Sequence, residues 1–143
     1  MSEVNVTWLQ GKQFVGTDST KHSVVMSSTD EGVGMKPSDL LLVALAGCTS
    51  VDVVNILTKM RAHITDMRVK VTADQAPEPP WCFERIHIHY EVTGIGLDSR
   101  DVVKAIELSD QKYCSVSNTL KKAAEVTWDY EVIELDVPQP VPG

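Results

Sequence analysis

The sequence has no cluster of basic residues, and acidic residues outnumber basic ones. It contains 13 Lys and Arg against 20 Asp and Glu, which gives a net charge of −7 at pH 7. Binding to a phosphate backbone requires grouped Lys and Arg, and an anionic membrane surface attracts the same kind of patch. We therefore expect neither a nucleic acid nor a membrane as a partner.

The sequence also has little that would direct it out of the cytoplasm. Its first residues lack the basic stretch and following apolar run of a signal peptide. The longest apolar run, residues 40–48, would cover about 13 Å as a helix, which is less than the thickness of a bilayer. We expect a cytoplasmic protein.

Cysteine is scarce, with three residues in the chain, so a disulfide-stapled scaffold is excluded. No C-x-x-C or H-E-x-x-H motif is present. His87 and His89 share one face of a predicted strand, but a closed zinc site needs four clear ligands. No motif joins a histidine to Cys48 or Cys114, as a cysteine hydrolase would require. We expect no metal ion and no cofactor.

The alternation of apolar and polar residues predicts a single α+β domain over residues 1–137, followed by a proline-rich tail at 138–143. A three-stranded antiparallel meander occupies the first 27 residues. The order then predicted is a helix at 38–61, strands at 64–73 and 83–92, helices at 100–112 and 115–124, and a strand at 127–135.

The predicted helix at residues 38–61 is unusually apolar. Its first half, residues 40–48, is apolar on every side, a pattern typical of a fully buried helix. One side of a small sheet cannot cover such a helix. We therefore expect a second subunit to cover it as well, which makes the protein a homodimer.

Two of the three cysteines are candidate reactive groups. Cys48 lies in the long helix beside the small residue Gly47, and it is either a packing residue or a reactive thiol. Cys114 lies where one predicted helix ends and the next begins; a helix N-terminus can stabilise a thiolate, although a small cap residue would fit there too. Cys82 has no cationic neighbour in the sequence, and we interpret it as a packing residue.

Two segments resemble the motifs of the OsmC/Ohr family (osmotically inducible protein C and organic hydroperoxide resistance). Residues 34–48 are similar to its G-x-x-P-x-x-L run, in which the peroxidatic cysteine comes eleven residues after the proline, as Cys48 does after Pro37. Residues 113–117 are similar to its C-P-V-S motif, with Ser115 in place of proline. The resemblance covers about residues 2–135, and it is closest to the YhfA-like branch.

The resemblance implies a two-lobed α+β subunit that interlocks with its twin, with long helices paired at the centre. It also implies thiol-dependent reduction of organic hydroperoxides, as an oxidative-stress defence. Cys48 would become a sulfenic acid, Cys114 would condense with it to a disulfide, and an external dithiol would reduce the pair. The alternative is a non-enzymatic dimer that binds an apolar small molecule in its interface pocket.

Ohr-type members hold the thiolate and the peroxide with an N-terminal arginine and a glutamate directly after the proline. Here the first arginine is Arg61, and the nearest acid after the proline is Asp39. Asp39 is a catalytic candidate, although an acid in a first helical turn also complements the helix dipole. It precedes Cys48 by about 13.5 Å of helix, so it would act only on a cation or across a dimer interface. Asp52 lies one turn after Cys48, where it would disfavour a thiolate unless a cation pairs with it.

Overall fold

The computed structural model describes residues 1–136, which form two compact units, one up to Val43 and one from Ala44 onward. The predicted tail at 138–143 lies outside the described residues. The elements confirm the predicted α+β class and its order. They are β1 (Asn5–Gln10), β2 (Gln13–Thr17), β3 (Ser23–Ser27), α1 (Pro37–Lys59), β4 (His63–Gln75), β5 (Phe83–Ile95), α2 (Ser99–Leu108), a π-helical turn (Ser109–Tyr113), α3 (Ser115–Leu120) and β6 (Glu125–Glu134).

The first unit is built on the predicted antiparallel meander, with strand order β1-β2-β3. The turn between β1 and β2 contains Gly11, whose φ of +50° is a conformation that glycine adopts without steric cost. Gly34 lies so close to β3 that a Cβ atom there would come within 2.7 Å of the Val25 carbonyl oxygen. Glycine at this position therefore allows the chain to pass β3 before α1 begins.

The second unit contains a mixed sheet with strand order β4-β5-β6. β5 is antiparallel to β4 and parallel to β6, so the chain between β5 and β6 must cross over, and it does so through α2, the π-helical turn and α3. The alternation predicted for β5 is confirmed, since its inward side chains are buried and its histidines lie on the other face. The buried set is Ile86, Ile88, Tyr90 and Val92.

Helix α1 buries only one stripe of its surface within the chain. The buried side chains recur every four residues at Leu45, Thr49, Val53 and Leu57. Val51 is 70% exposed and Val54 is 39% exposed. Within residues 40–48, Leu41 and Val43 are also exposed, so residues 1–136 of one chain do not bury this segment on every side, and its cover by a second subunit stays a prediction.

The length of α1 also corrects the expectation that no segment could reach across a bilayer. The helix has 23 residues, and its most apolar window has a mean hydropathy of 2.1, so by length and composition it could span one. A core helix of a water-soluble protein meets the same criterion. Asp52 interrupts its apolar sequence and makes a polar contact inside the second unit.

Replacing Leu57 with alanine should destabilise the protein by about 2–5 kcal/mol, because the side chain is fully buried and truncation leaves a cavity. Equilibrium unfolding in urea measures this change. Leu135→Ala is the matched control at an exposed position and should cost much less. Equal losses for the two variants would contradict the described packing.

Candidate functional site

The two candidate cysteines and one carboxylate converge in the second unit. Cys48 and Asp52 lie one turn apart on α1, and Cys114 lies at the start of α3. Both Sγ atoms and a carboxylate oxygen of Asp52 all lie within 4.8 Å of one another. Cys114 is fully buried, whereas Cys48 and Asp52 are half-buried. An approach of less than about 3 Å would bring the two sulfurs to disulfide bonding distance.

The π-helical turn positions Cys114. The predicted helix through residue 112 is regular only to Leu108, and the wider turn of residues 109–113 then carries the chain to Cys114. The Cys114 N–H donates to the Ser109 carbonyl oxygen at 2.8 Å. The Ser117 N–H donates to Cys114 Sγ at 3.3 Å, so the sulfur caps α3. Turns of this type recur at functional sites because they move one side chain out of helical register.

Burial dominates the acidity of Cys114. The pKa of this thiol is raised to about 11, mainly by burial and also by the adjacent Cys48 side chain, while the Ser117 N–H acts in the opposite direction. The stabilisation of a thiolate by a helix N-terminus, considered from the sequence, is therefore outweighed by desolvation. Cys114 is a protonated thiol at neutral pH.

Asp52 is held by one hydrogen bond. The Ser109 hydroxyl, which is fully buried, donates to Asp52 Oδ2 at 2.9 Å. Within residues 1–136, no Lys, Arg or His nitrogen lies within 4.0 Å of this carboxylate. The carboxylate therefore faces the sulfurs without a neutralising cation.

Tyr90 belongs to the same buried region, although the sequence pattern showed only that it points into the core. Its hydroxyl has no hydrogen-bond partner among the described residues. The pKa of Tyr90 is raised to about 12, mainly by burial and also by the charges of Asp110, Cys114 and Asp52. The nearby Thr49 side chain acts against this rise in the pKa of Tyr90. The Thr49 hydroxyl itself donates a hydrogen bond to the Ala46 carbonyl oxygen at 3.2 Å.

A cation is present near the site, but it is already paired. Lys121 Nζ lies 2.7 Å from Asp110 Oδ1, and both side chains are largely buried. The Ser117 hydroxyl donates to the same oxygen at 3.3 Å. The pair ties the π-helical turn to α3 on either side of Cys114. The sequence alone did not indicate Lys121, because no motif surrounds it.

The model of the family described as OsmC-like protein matches residues 28–129. The chain belongs to the OsmC-like family. It is 37% identical to protein YhfA of Escherichia coli K12 over 131 residues, which is 92% of this chain and 98% of YhfA. This agrees with the resemblance read from the two cysteine motifs.

Solved structures share the fold. A hypothetical protein from Aquifex aeolicus VF5 aligns over 94% of this chain and 98% of its own, with a TM-score of 0.81 and 26% identity. The organic hydroperoxide resistance protein OhrB of Bacillus subtilis aligns over 92% of this chain and 98% of its own, with a TM-score of 0.61 and 13% identity. The second likeness is one of fold alone.

Two further residues that the sequence analysis singled out, Asp39 and Cys82, lie outside this group. Asp39 is not part of the convergent group; it pairs with Lys36 at 3.8 Å, and both side chains are about half exposed, so its catalytic role stays a prediction. Cys82 is exposed, so its interpretation as a packing residue is wrong. It follows the turn at Pro79 and Pro80 and precedes β5, outside the regular sheet.

The histidines of β5 lie apart from the cysteine site. His87 Nε2 and His89 Nδ1 each lie 2.8 Å from Asp129 Oδ1, and these hydrogen bonds lower the pKa of Asp129. Among the described residues, Cys48, Asp52 and Cys114 are the group that could hold a metal ion. They supply three ligands, one fewer than a closed zinc site uses.

The free energy of unfolding should fall as the pH rises from about 9 towards 11, because Cys114 keeps its proton in the folded state and loses it more readily in the unfolded state. A raised folded-state pKa contributes stability that is complete below the unfolded value and is lost above it. Urea unfolding across this range measures the loss. Cys114→Ser should remove this part of the alkaline destabilisation, and identical pH profiles would contradict the shift.

Proposed function

We propose that this OsmC-like protein is a thiol peroxidase that reduces organic hydroperoxides through Cys48 and Cys114. The observation that carries the proposal is the position of both sulfurs within 4.8 Å of each other in one partly enclosed site. Among the three free cysteines, Cys82 is exposed and has no part in this group. A redox pair needs such proximity, whereas cysteines used only for packing do not.

The proposed reaction has two steps on the protein. Cys48 is half-buried and so is the sulfur that a substrate reaches, while Cys114 is fully buried. Cys48 sulfur attacks the terminal oxygen of the peroxide, the O–O bond breaks, and the alcohol leaves with the thiol proton, so that Cys48 becomes a sulfenic acid. Cys114 sulfur then displaces hydroxide from it, forming a disulfide and water. An external dithiol reduces the disulfide by exchange.

A cleft beside the site suits an apolar substrate. Its volume is about 450 Å³, and Asp52 lies in its wall. Ile56, Met60, Leu108 and Tyr113 supply its apolar and aromatic lining, and Asn55, Lys59 and Lys104 supply the rest. An alkyl or aryl peroxide would bury its hydrocarbon part there and present the O–O bond towards Asp52, which lies one helical turn after Cys48.

A role in the reduction of organic hydroperoxides is consistent with the proteins that share this fold. OhrB, which shares the fold, is an organic hydroperoxide resistance protein. The YhfA relative carries no activity in its name. A cytoplasmic place and a role in oxidative-stress defence are part of the proposal, since thiol pairs of this kind need a reducing environment for turnover.

The uncovered apolar surface of α1 supports a homodimer. Val51 and Val54 are exposed on a helix whose buried stripe lies elsewhere. A contiguous apolar face in water is typical of an interaction surface. A second copy of α1 would cover it, as the family resemblance implies.

One equivalent of cumene hydroperoxide added to the reduced protein should produce a Cys48–Cys114 disulfide, with Cys82 still reduced. Peptide mass spectrometry after alkylation maps the thiols. Cys48→Ser should abolish peroxide consumption, because no sulfenic acid can form. Cys114→Ser should leave a Cys48 sulfenic acid that a dimedone label traps.

Cys82→Ser is the matched control, since it removes an exposed thiol outside the site, and it should react at the unsubstituted rate. Survival of all three thiols, or slow oxidation without preference among them, would overturn the peroxidase proposal.

Val51→Glu should shift the protein from dimer to monomer, because a charge placed in an apolar interface is costly to desolvate. Sedimentation velocity measures the assembly state. Val33→Glu introduces the same change at another exposed valine, in a loop, and should leave the dimer intact. An unsubstituted protein that sediments as a monomer at micromolar concentration would exclude the proposed dimer.

A groove in the first unit favours the non-enzymatic alternative, in which the protein binds an apolar small molecule. It has a volume of about 430 Å³, and its apolar lining comes from Val4, Val6, Val24, Met26 and Leu40. If the thiols proved inert to peroxide, binding of an apolar fluorescent probe at this groove would become the function to test.

A further inference from the structure

The Asp52 carboxylate stands beside both reacting sulfurs, and neither step described above has used it. Its oxygen lies within 4.8 Å of Cys48 Sγ and Cys114 Sγ. Oδ2 accepts the Ser109 hydrogen bond at 2.9 Å, while residues 1–136 give Oδ1 no hydrogen-bond donor. The carboxylate is thus fixed at one oxygen and free to accept a proton at the other.

Disulfide formation requires that Cys114 lose its proton in a place that solvent does not reach. The side chain is fully buried. Burial raises the pKa of Cys114 to about 11, so that about one thiol in ten thousand is ionised at pH 7. A base inside the site is therefore needed to remove the proton as the new bond forms.

The other polar groups around Cys114 are unsuited to this task. Asp110 is paired with Lys121 at 2.7 Å and accepts the Ser117 hydroxyl at 3.3 Å, so both contacts already occupy this carboxylate. The Tyr90 hydroxyl is held protonated, with a pKa of about 12. Asp52 remains as the carboxylate near the sulfur that has no cation within 4.0 Å among the described residues; Lys59 and Lys104 line the cleft beside it without pairing with it.

We propose that Asp52 is the catalytic base of the resolving step, taking the Cys114 thiol proton as this sulfur attacks the Cys48 sulfenic acid. The S–S bond forms, the S–O bond of the sulfenic acid breaks, and Asp52 returns the proton to the departing hydroxide, which leaves as water. This role rests on the proposed peroxidase function. Asp52 lines a cleft that is open to solvent, and the water would leave through it.

The role can be tested with and without peroxide, in full-length protein carrying Cys82→Ser. One equivalent of 2,2′-dipyridyl disulfide converts Cys48 to its pyridyl mixed disulfide and releases a first thiopyridone. Attack by Cys114 on the Cys48 sulfur then forms the Cys48–Cys114 disulfide and releases a second thiopyridone, and the absorbance change of this second phase gives the rate. Asp52→Asn keeps the size of the side chain and its acceptor for Ser109. The variant should release thiopyridone about 10²-fold more slowly at pH 7, with a rate that rises steadily with pH as hydroxide replaces the base.

The direction in which Asp52→Asn changes the rate distinguishes a role of Asp52 as a base from a purely electrostatic effect of its charge. A carboxylate near a thiol disfavours the thiolate, so removing its charge alone would make Cys114 more acidic and its attack faster. Asp66→Asn, which removes an exposed carboxylate on β4, is the matched control and should leave the rate unchanged. A rate for Asp52→Asn equal to or above that of the unsubstituted protein would overturn the proposal.

The peroxide reaction distinguishes the two proposals. In Asp52→Asn, Cys48 should still form a sulfenic acid, which dimedone traps in larger amount because disulfide formation lags. An unsubstituted protein that does not react with peroxide would overturn the peroxidase function, whatever the exchange assay shows. Normal disulfide formation in Asp52→Asn would overturn the role of Asp52 and leave the peroxidase function standing.

Discussion

The site depends on one electrostatic constraint, the placement of a carboxylate and two thiols together without a cation. Two negative charges within 4.8 Å repel by roughly 3.5 kcal/mol at an effective dielectric constant of about 20. The group therefore favours one negative charge at a time. A proton leaving a sulfur is best accommodated on the carboxylate, and a proton on the carboxylate relieves the cost of a thiolate. The arrangement favours proton transfer within the group over a permanently ionised cysteine.

The scaffold satisfies this constraint through spacing. The four-residue step from Cys48 to Asp52 places the two side chains on the same side of α1. The π-helical turn determines the third position, because a regular helix continued past Leu108 would point Cys114 in another direction. Ser109, the first residue of that turn, binds Asp52, so the same segment that delivers the sulfur also orients the carboxylate. The two halves of the site are therefore coupled through one hydrogen bond.

The sequence predicted the strands, the α-helices and the class of fold, because the alternation in the strands and the apolar stripe of α1 are strong signals. It also identified Cys48 and Cys114, through two motifs at characteristic spacing. It could not predict the π-helical turn, since no local pattern marks residues 109–113, nor the Lys121–Asp110 pair, which joins residues 11 apart across that turn. The exposure of Val51 and of Cys82 depends on which surfaces other elements cover, and a pattern in a single strand or helix does not contain that information.

The absence of an arginine before Arg61 then has a physical interpretation. An arginine would favour a thiolate by pairing with it, and would make a nearby carboxylate a poor base by pairing with that too. In this chain the partly buried Lys121 is held by Asp110, and no cation among the described residues lies within 4.0 Å of Asp52. In a site of this kind no cation stabilises a permanent thiolate, and the proposed reaction relies instead on proton transfer to Asp52. Its reactivity should then depend more on the position of Asp52 than on any cation, and the Ser109 hydrogen bond is the contact that fixes that position.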